Sequence, residues 1–175
     1  RKMGLPWSSA LVRRSRLAVQ GTVNASRMAL EDSVAANLAG GTHHAFAGHG
    51  EGFCVLNDVA VAIRVLRREG RIVRASVIDL DVHQGNGTAA IFRDDPHTFT
   101  FSMHGARNYP FVKAESTLDV ALPDATGDES YLRQLGDHLP QVIATAAPEL
   151  IFFLAGVDPV SGDRYGRLDL SRDGI

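Results

Sequence analysis

Asp81 and His83 stand two residues apart directly after the run Val77-Ile78-Asp79-Leu80, and Asp158 follows a second apolar run, Leu150 to Ala155. Side chains at i and i+2 of an extended segment point to the same side, so the first two can converge on one ion. Asp158, at the end of another strand, offers a third donor. One imidazole and two carboxylates, with no cysteine nearby, suit a catalytic Zn2+, Fe2+ or Mn2+ that keeps a position open for water. The plainer alternative has each residue capping the turn after its strand. Three such residues at strand ends, with a histidine pair elsewhere in the chain, favour the metal.

That pair is His43-His44, within Gly40-Gly41-Thr42-His43-His44-Ala45. Adjacent imidazoles are awkward as ligands of one ion. Acid–base work suits them better, one accepting a proton and the other modulating charge. Gly40 and Gly41 before the pair, and Gly48, Gly50 and Gly52 after it, suggest a backbone that approaches a ligand closely. Asp79 lies inside an apolar strand on the same face as Asp81, and a buried carboxylate there needs a partner. A histidine or a monovalent cation suits it; an ion pair with Arg74 is the alternative.

The elements that must position these groups follow from periodicity. Ser8 to Leu38 reads as helical, with Leu11, Ala18, Val19, Val23, Met28 and Leu30 apolar, Gly21 as a candidate break and Gly40-Gly41 as the stop. Asp58 is expected to cap a helix through Ala60, Ile63, Val65 and Leu66 to Gly70. Ala75 to Leu80, His97 to Met103 and Thr117 to Leu122 read as strands, with a short helix at Thr88 to Phe92 between the first two. Asp128 is expected to cap a helix carrying Leu132, Leu135, Leu139 and Val142, which Pro140 should kink or divide. Leu150 to Ala155 reads as a central strand buried on both faces. Alternating strands and helices predict an α/β fold with a mainly parallel sheet, whose ligands gather beyond the carboxyl ends of the strands.

The 175 residues predict one domain with a sizeable core. A net charge of -2 gives no basic field for nucleic acid, so no direct nucleic-acid binding is expected. One cysteine, Cys54, excludes an intrachain disulfide and fits a reducing compartment. No apolar run suits a membrane span, and the segment from Arg1 to Pro6 lacks a signal-peptide core, so the cytoplasm is the expected location. His49, His97, His104 and His138 read as structural or solvated, and Arg13-Arg14 and Arg67-Arg68 as solvated helix faces.

Gly40–Ala45, Gly52-Phe53-Cys54-Val55-Leu56-Asn57-Asp58 and Ile78-Asp79-Leu80-Asp81-Val82-His83-Gln84-Gly85-Asn86-Gly87 together resemble the zinc-dependent histone deacetylases. Phe101-Ser102-Met103-His104 and Ala155-Gly156-Val157-Asp158-Pro159, then Gly162-Asp163 and Gly166, continue the motifs in the same order. The form Asp-Leu-Asp-Val-His-Gln-Gly-Asn-Gly and the ending Gly-Asp-Arg-Tyr-Gly-Arg-Leu look most like the class IV branch and its bacterial relatives. The resemblance implies an arginase/deacetylase-like α/β fold, a mostly parallel sheet flanked by helices.

It further implies Zn2+, with Fe2+ as the alternative, on Asp81, His83 and Asp158. His44 becomes general base and then acid, His43 its electrostatic helper bonded to Asp79, and Asn86 stands where some relatives carry an aspartate. Phe53 lines a tunnel around an acyl-lysine stem, Gly52 meets the substrate backbone, and Tyr109 or Phe111 forms the other wall. A structural K+ is implied among Asp79, Asp81, His83, Ser102 and Met103. Acylated lysine peptides or proteins, acetylpolyamines and small acylated amines are the implied partners; the oligomeric state stays open.

The resemblance also implies a first strand before Arg1 and, beyond the third ligand, a Gly-Gly-Gly-Tyr loop whose tyrosine stabilises the oxyanion. Residues 1–175 contain neither, so the chain reads as an internal piece of the catalytic domain, incomplete at both ends. An arginase-like di-manganese ureohydrolase, and a non-catalytic fragment that only binds acylated ligands, are the rival readings.

Overall fold

The computed structural model describes residues 3–175, so the reading of the N-terminal segment rests, for Arg1 and Lys2, on sequence alone. The chain forms two compact units, Arg1–Val73 with Asn86–Ile91, and Arg74–Gly85 with Phe92–Ile175.

In the first unit, helix α1 (Ser9–Asp32) packs on α2 (Asp58–Arg68). Ser8 caps α1 by accepting from the Leu11 N–H at 3.0 Å, and Ser33 ends it in the left-handed region. The buried stripe of α1 is small: Ser15, Ala18, Thr22, Val23 and Ser26. Ser15 and Ser26 return their hydroxyls to carbonyls one turn back, at 2.8 and 2.7 Å, and so enter the interior satisfied. Gly21 does not divide the helix. A Cβ there would stand 2.9 Å from the Asn37 amide, so this glycine admits the chain that follows α1. Residues 34–38 lie outside the helix, and Leu38 is exposed.

Helix α2 buries Val59, Ala60, Ala62, Ile63 and Leu66, and Arg67 and Arg68 in its last turn complement the helix dipole. Its cap is Asn57, which accepts from Ala60 N–H at 2.9 Å, and not Asp58. Asp58 is the first helical residue and is freed for another task, described below. Gly70 then turns the chain at φ +69°.

The second unit holds a four-stranded sheet of β1 (Ala75–Asp79), β2 (Thr98–Gly105), β3 (Leu118–Leu122) and β4 (Leu150–Leu154), in the order β3-β2-β1-β4. All three pairings are parallel, as the alternation of elements predicts. Helix α3 (Asn86–Phe92) follows β1, and α4 (Asp128–Ala146) packs on β1 and β2. β1 is buried at every position, Ser76 and Asp79 included, as the sequence reading of a buried strand expects. Ile78, Phe101, Met103, Leu122, Tyr131, Val142, Leu168 and Leu170 form the core, in which burying Phe101 alone is worth ~2–3 kcal/mol.

Three further local expectations change. Pro140 lies inside one continuous α4. Asp128 starts α4 without capping it; Gly127 is the cap, and Asp128 instead accepts from the Ser171 N–H and hydroxyl at 2.8 and 2.6 Å. β4 is an edge strand whose Ile151 and Phe153 are exposed, because β1 is its one partner among the described residues. No helix among the described residues is long and apolar enough to cross a membrane.

Candidate active site

In the second unit, Asp81 and His83 lie together, as their i, i+2 spacing predicts, and the sheet brings Asp158 to them. Nδ1 of His83 lies 3.0 Å from Oδ1 of Asp81 and 3.0 Å from Oδ2 of Asp158. One donor atom from each residue falls within 4.8 Å of the others. The segment after β1 is shaped by its own carboxylates: Asp81 N–H donates to Asp79 at 3.2 Å, His83 N–H to Asp81 at 2.8 Å and Val82 N–H to Asp158 at 3.0 Å. β4 delivers Asp158 through Gly156, where a Cβ would stand 2.5 Å from Asp81 Oδ2 and 2.9 Å from Asp158 Oδ1. Gly166 is needed likewise, since a Cβ there would overlap the Asp158 carbonyl oxygen.

This donor set attracts positive charge. Burial disfavours the His83 cation, yet the hydrogen bonds and charges of Asp158 and Asp81 outweigh it and hold the imidazole raised at about 9. Burial, and then the charges of Asp79, Asp81 and Asp158, push the Tyr131 phenol upward. Tyr131, on α4, had no signal in the sequence beyond its place in a helical pattern. Asp163 is held below the carboxylate range by the N–H groups of Gly166 and Tyr165. One nitrogen and two oxygens converging within ligand spacing, with a glycine where a side chain would intrude, fit a divalent cation.

Asp79 ends β1, buried, in register with Ser102 of β2, and Met103 follows it in the core. Arg74 does not serve Asp79: its side chain donates to the Ala147 carbonyl, and its N–H to Glu149. Tyr109 accepts at its carbonyl from Gln84 N–H at 3.3 Å, and its ring meets Phe111 edge-on at 6.4 Å. His104 is buried against Ser102, as a structural histidine should be.

In the first unit, Asp58 builds the loop that carries the histidines. Its carboxylate accepts from Thr22 Oγ1 at 2.5 Å, Gly41 N–H at 3.1 Å, and Thr42 N–H and Oγ1 at 2.8 and 2.6 Å. A Cβ at Gly40 would stand 2.5 Å from that carboxylate, which explains this glycine. The sequence reading treated Asp58 as a cap and missed this role, because the hydroxyl and amides it binds come from α1 and the loop. The start of α3 closes on the pair from the other side: Thr88 N–H donates to the His43 carbonyl at 3.0 Å, and Gly87 leaves no space for a Cβ beside Ala45.

His43 and His44 are buried, with ring centroids 4.1 Å apart. His44 Nδ1 lies 2.7 Å from Oδ1 of buried Asn86, as the resemblance implies. Gly52 and Phe53 form a tight turn against this ring. A Cβ on Gly52 would stand 2.6 Å from His44 Cδ2, while Phe53 is 65 % exposed. Glu51, not singled out in the sequence, accepts from Asn86 Nδ2 at 3.1 Å.

A parallel α/β sheet with an imidazole and two carboxylates gathered at the carboxyl ends of its strands defines an α/β protein with a candidate divalent-metal centre. The chain belongs to the histone deacetylase family: the histone deacetylase domain matches residues 2–175. It is 49% identical over 175 residues to an uncharacterized protein of Picosynechococcus sp., covering all of this chain and 58% of that one. It is 37% identical to histone deacetylase 2 of Arabidopsis thaliana, over 91% of this chain and 42% of that one. Among solved structures, an HDAC homolog complexed with SAHA aligns with a TM-score of 0.84 at 33% identity, covering 91% of this chain and 46% of that one. The chain thus spans about half the length of the curated relatives it matches.

Proposed function

We propose that this chain carries the metal-binding and acid–base residues of a metal-dependent deacylase, which hydrolyses the amide bond of acyl-lysine or a similar acylated amine. The observation that carries the reading is the convergence of Asp81, His83 and Asp158, with both carboxylates 3.0 Å from one imidazole nitrogen. These residues would hold Zn2+, or Fe2+. A divalent ion bound there supplies Lewis-acid polarisation of the acyl carbonyl and a more acidic water.

His44 takes the proton of the attacking water at Nε2 and later hands it to the departing amine. Asn86 accepts from Nδ1–H of His44 and holds the ring in that orientation. His43 tunes the charge beside His44. Phe53 and Tyr109 flank the acyl-bearing stem, and Gly52 meets the substrate backbone; the exposure of the Phe53 ring at the tip of its turn supports this role. The adjacency of Asp79, Ser102 and Met103 at the ends of β1 and β2 supports a structural K+ ringed by them with Asp81 and His83. The Asp-Leu-Asp-Val-His-Gln-Gly-Asn-Gly sequence supports placement near the class IV branch.

The test is metal content together with hydrolysis of a fluorogenic acyl-lysine peptide, on this chain and on a version extended to the length of its relatives. One zinc per chain, with turnover in the longer version lost in His44→Ala, is the expected result. Two manganese ions per chain would move the assignment to a ureohydrolase. Absence of both metal and turnover in the longer version would leave only a binding role.

A further inference from the structure

We propose that Glu51 is a positioning residue for His44, acting through Asn86. Its carboxylate sets which way the Asn86 amide faces, and so sets the proton on Nδ1 of His44 and the lone pair on Nε2. The inference rests on His44 as the general base.

A side-chain amide has one accepting end and one donating end, and its partners decide their orientation. Asn86 lies between His44 Nδ1, 2.7 Å from its Oδ1, and Glu51 Oε1, 3.1 Å from its Nδ2. An ionised carboxylate only accepts. Glu51 therefore fixes the NH2 end of Asn86 toward itself and leaves the oxygen toward His44. The imidazole must then donate from Nδ1, which makes Nε2 the accepting nitrogen of the ring. Turning the amide over would set oxygen against carboxylate at a residue only 3% exposed.

The backbone holds Glu51 firmly in this place. Glu51 and Cys54 exchange backbone hydrogen bonds of 3.0 and 2.8 Å across a two-residue turn, with φ of +53° at Gly52 and +63° at Phe53. Positive φ at both central residues is the mark of a type I′ turn. The same turn presses Gly52 against the His44 ring. The second carboxylate oxygen lies 3.2 Å from Nε2 of His49, which stacks on Phe46. Of the titratable groups, His43 lies beside the His44 ring, Glu51 lies behind Asn86 and His49 lies beyond Glu51. As His44 gains its proton, the Glu51 charge behind the amide favours the imidazolium, supplying at one remove the anion that Asn86 lacks.

The experiment is 15N NMR of histidine-labelled protein, at a pH where both imidazoles are neutral, with His44 assigned by its loss in His44→Ala. The wild-type ring is expected as the Nδ1–H tautomer. In Glu51→Gln, nearly the same in shape but able to donate, Asn86 can turn and the Nε2–H tautomer becomes populated. In the longer, metal-loaded protein the same change lowers kcat about tenfold with little change in KM, the scale on which removing a group that orients a functional side chain acts. A single Nδ1–H tautomer in Glu51→Gln overturns the proposal. Full turnover in His44→Ala overturns instead the general-base reading on which it rests, while the NMR result still reports whether Glu51 orders the pair.

Discussion

Nδ1 of His83 stands 3.0 Å from Oδ2 of Asp158, although one residue follows β1 and the other follows β4. The parallel pairing of these strands, with Asp79 opposite Leu154, brings their carboxyl ends side by side and so makes that distance. Each residue is local to its strand end, and the relation between them belongs to the sheet.

Gly156 is the point where that relation is most easily tested. Gly156→Ala places a methyl group 2.5 Å from Asp81 Oδ2 and 2.9 Å from both Asp158 Oδ1 and Asp81 Cα, so the segment carrying the carboxylates must shift. If the three residues hold the proposed divalent ion, its affinity should fall by about 10–100-fold, as when the surroundings of a ligand set are disturbed. Competition titration with a chromophoric chelator measures it; an unchanged Kd would mean that the carboxylates are not held as described.

Phe53 is exposed at the tip of its turn, so Phe53→Ala should change stability by no more than about 0.5 kcal/mol. If it flanks the acyl-lysine stem, KM in the longer protein should rise about tenfold, equivalent to ~1.4 kcal/mol of lost apolar contact, with kcat little affected. Steady-state kinetics beside a urea titration separates the two effects.

Asp58 is nearly inaccessible and ties α1, the glycine loop and the start of α2 together. Asp58→Ala leaves buried donors unmatched and should cost about 3 kcal/mol, seen as a lower urea midpoint at unchanged slope. Asp58→Asn keeps the shape and should cost less. Amide exchange at Gly41 and Thr42 should quicken in both.

Hydrogen bonds from the Ser171 hydroxyl and N–H hold the Asp128 carboxyl below its ordinary value of 3.8. A group whose folded value is depressed adds stability above its unfolded value, and that stability is lost as pH falls through the folded value. Asp128→Asn should therefore lower the urea midpoint at neutral pH. The difference from wild type should shrink as pH drops below 3.8. A difference that stays constant down to acid pH would show that ionisation of Asp128 contributes nothing.

The strands and the Asp81–His83 pair were legible because their signals are local. Ala75 to Leu80 announces a buried strand, and the Asp81–His83 spacing announces two side chains on one side. The same local reading failed wherever the deciding contact came from afar. Gly21 looked like a helix break and is a place of close approach for Asn37. Asp58 looked like a cap and is a clamp for a loop. Leu150 to Ala155 read as a central strand, and β4 has two exposed positions, because an apolar run states only that a strand can be covered.

By itself the sequence determined the parallel α/β class, the residue types at the strand ends and the family, since periodicity and motif order need no third dimension. The tertiary structure alone decided that Asp158 meets His83, that Tyr131 feels three carboxylates, and that Glu51 stands behind Asn86. Hydrogen bonds and charge interactions act over a few ångströms of space, and distance along the chain does not report them.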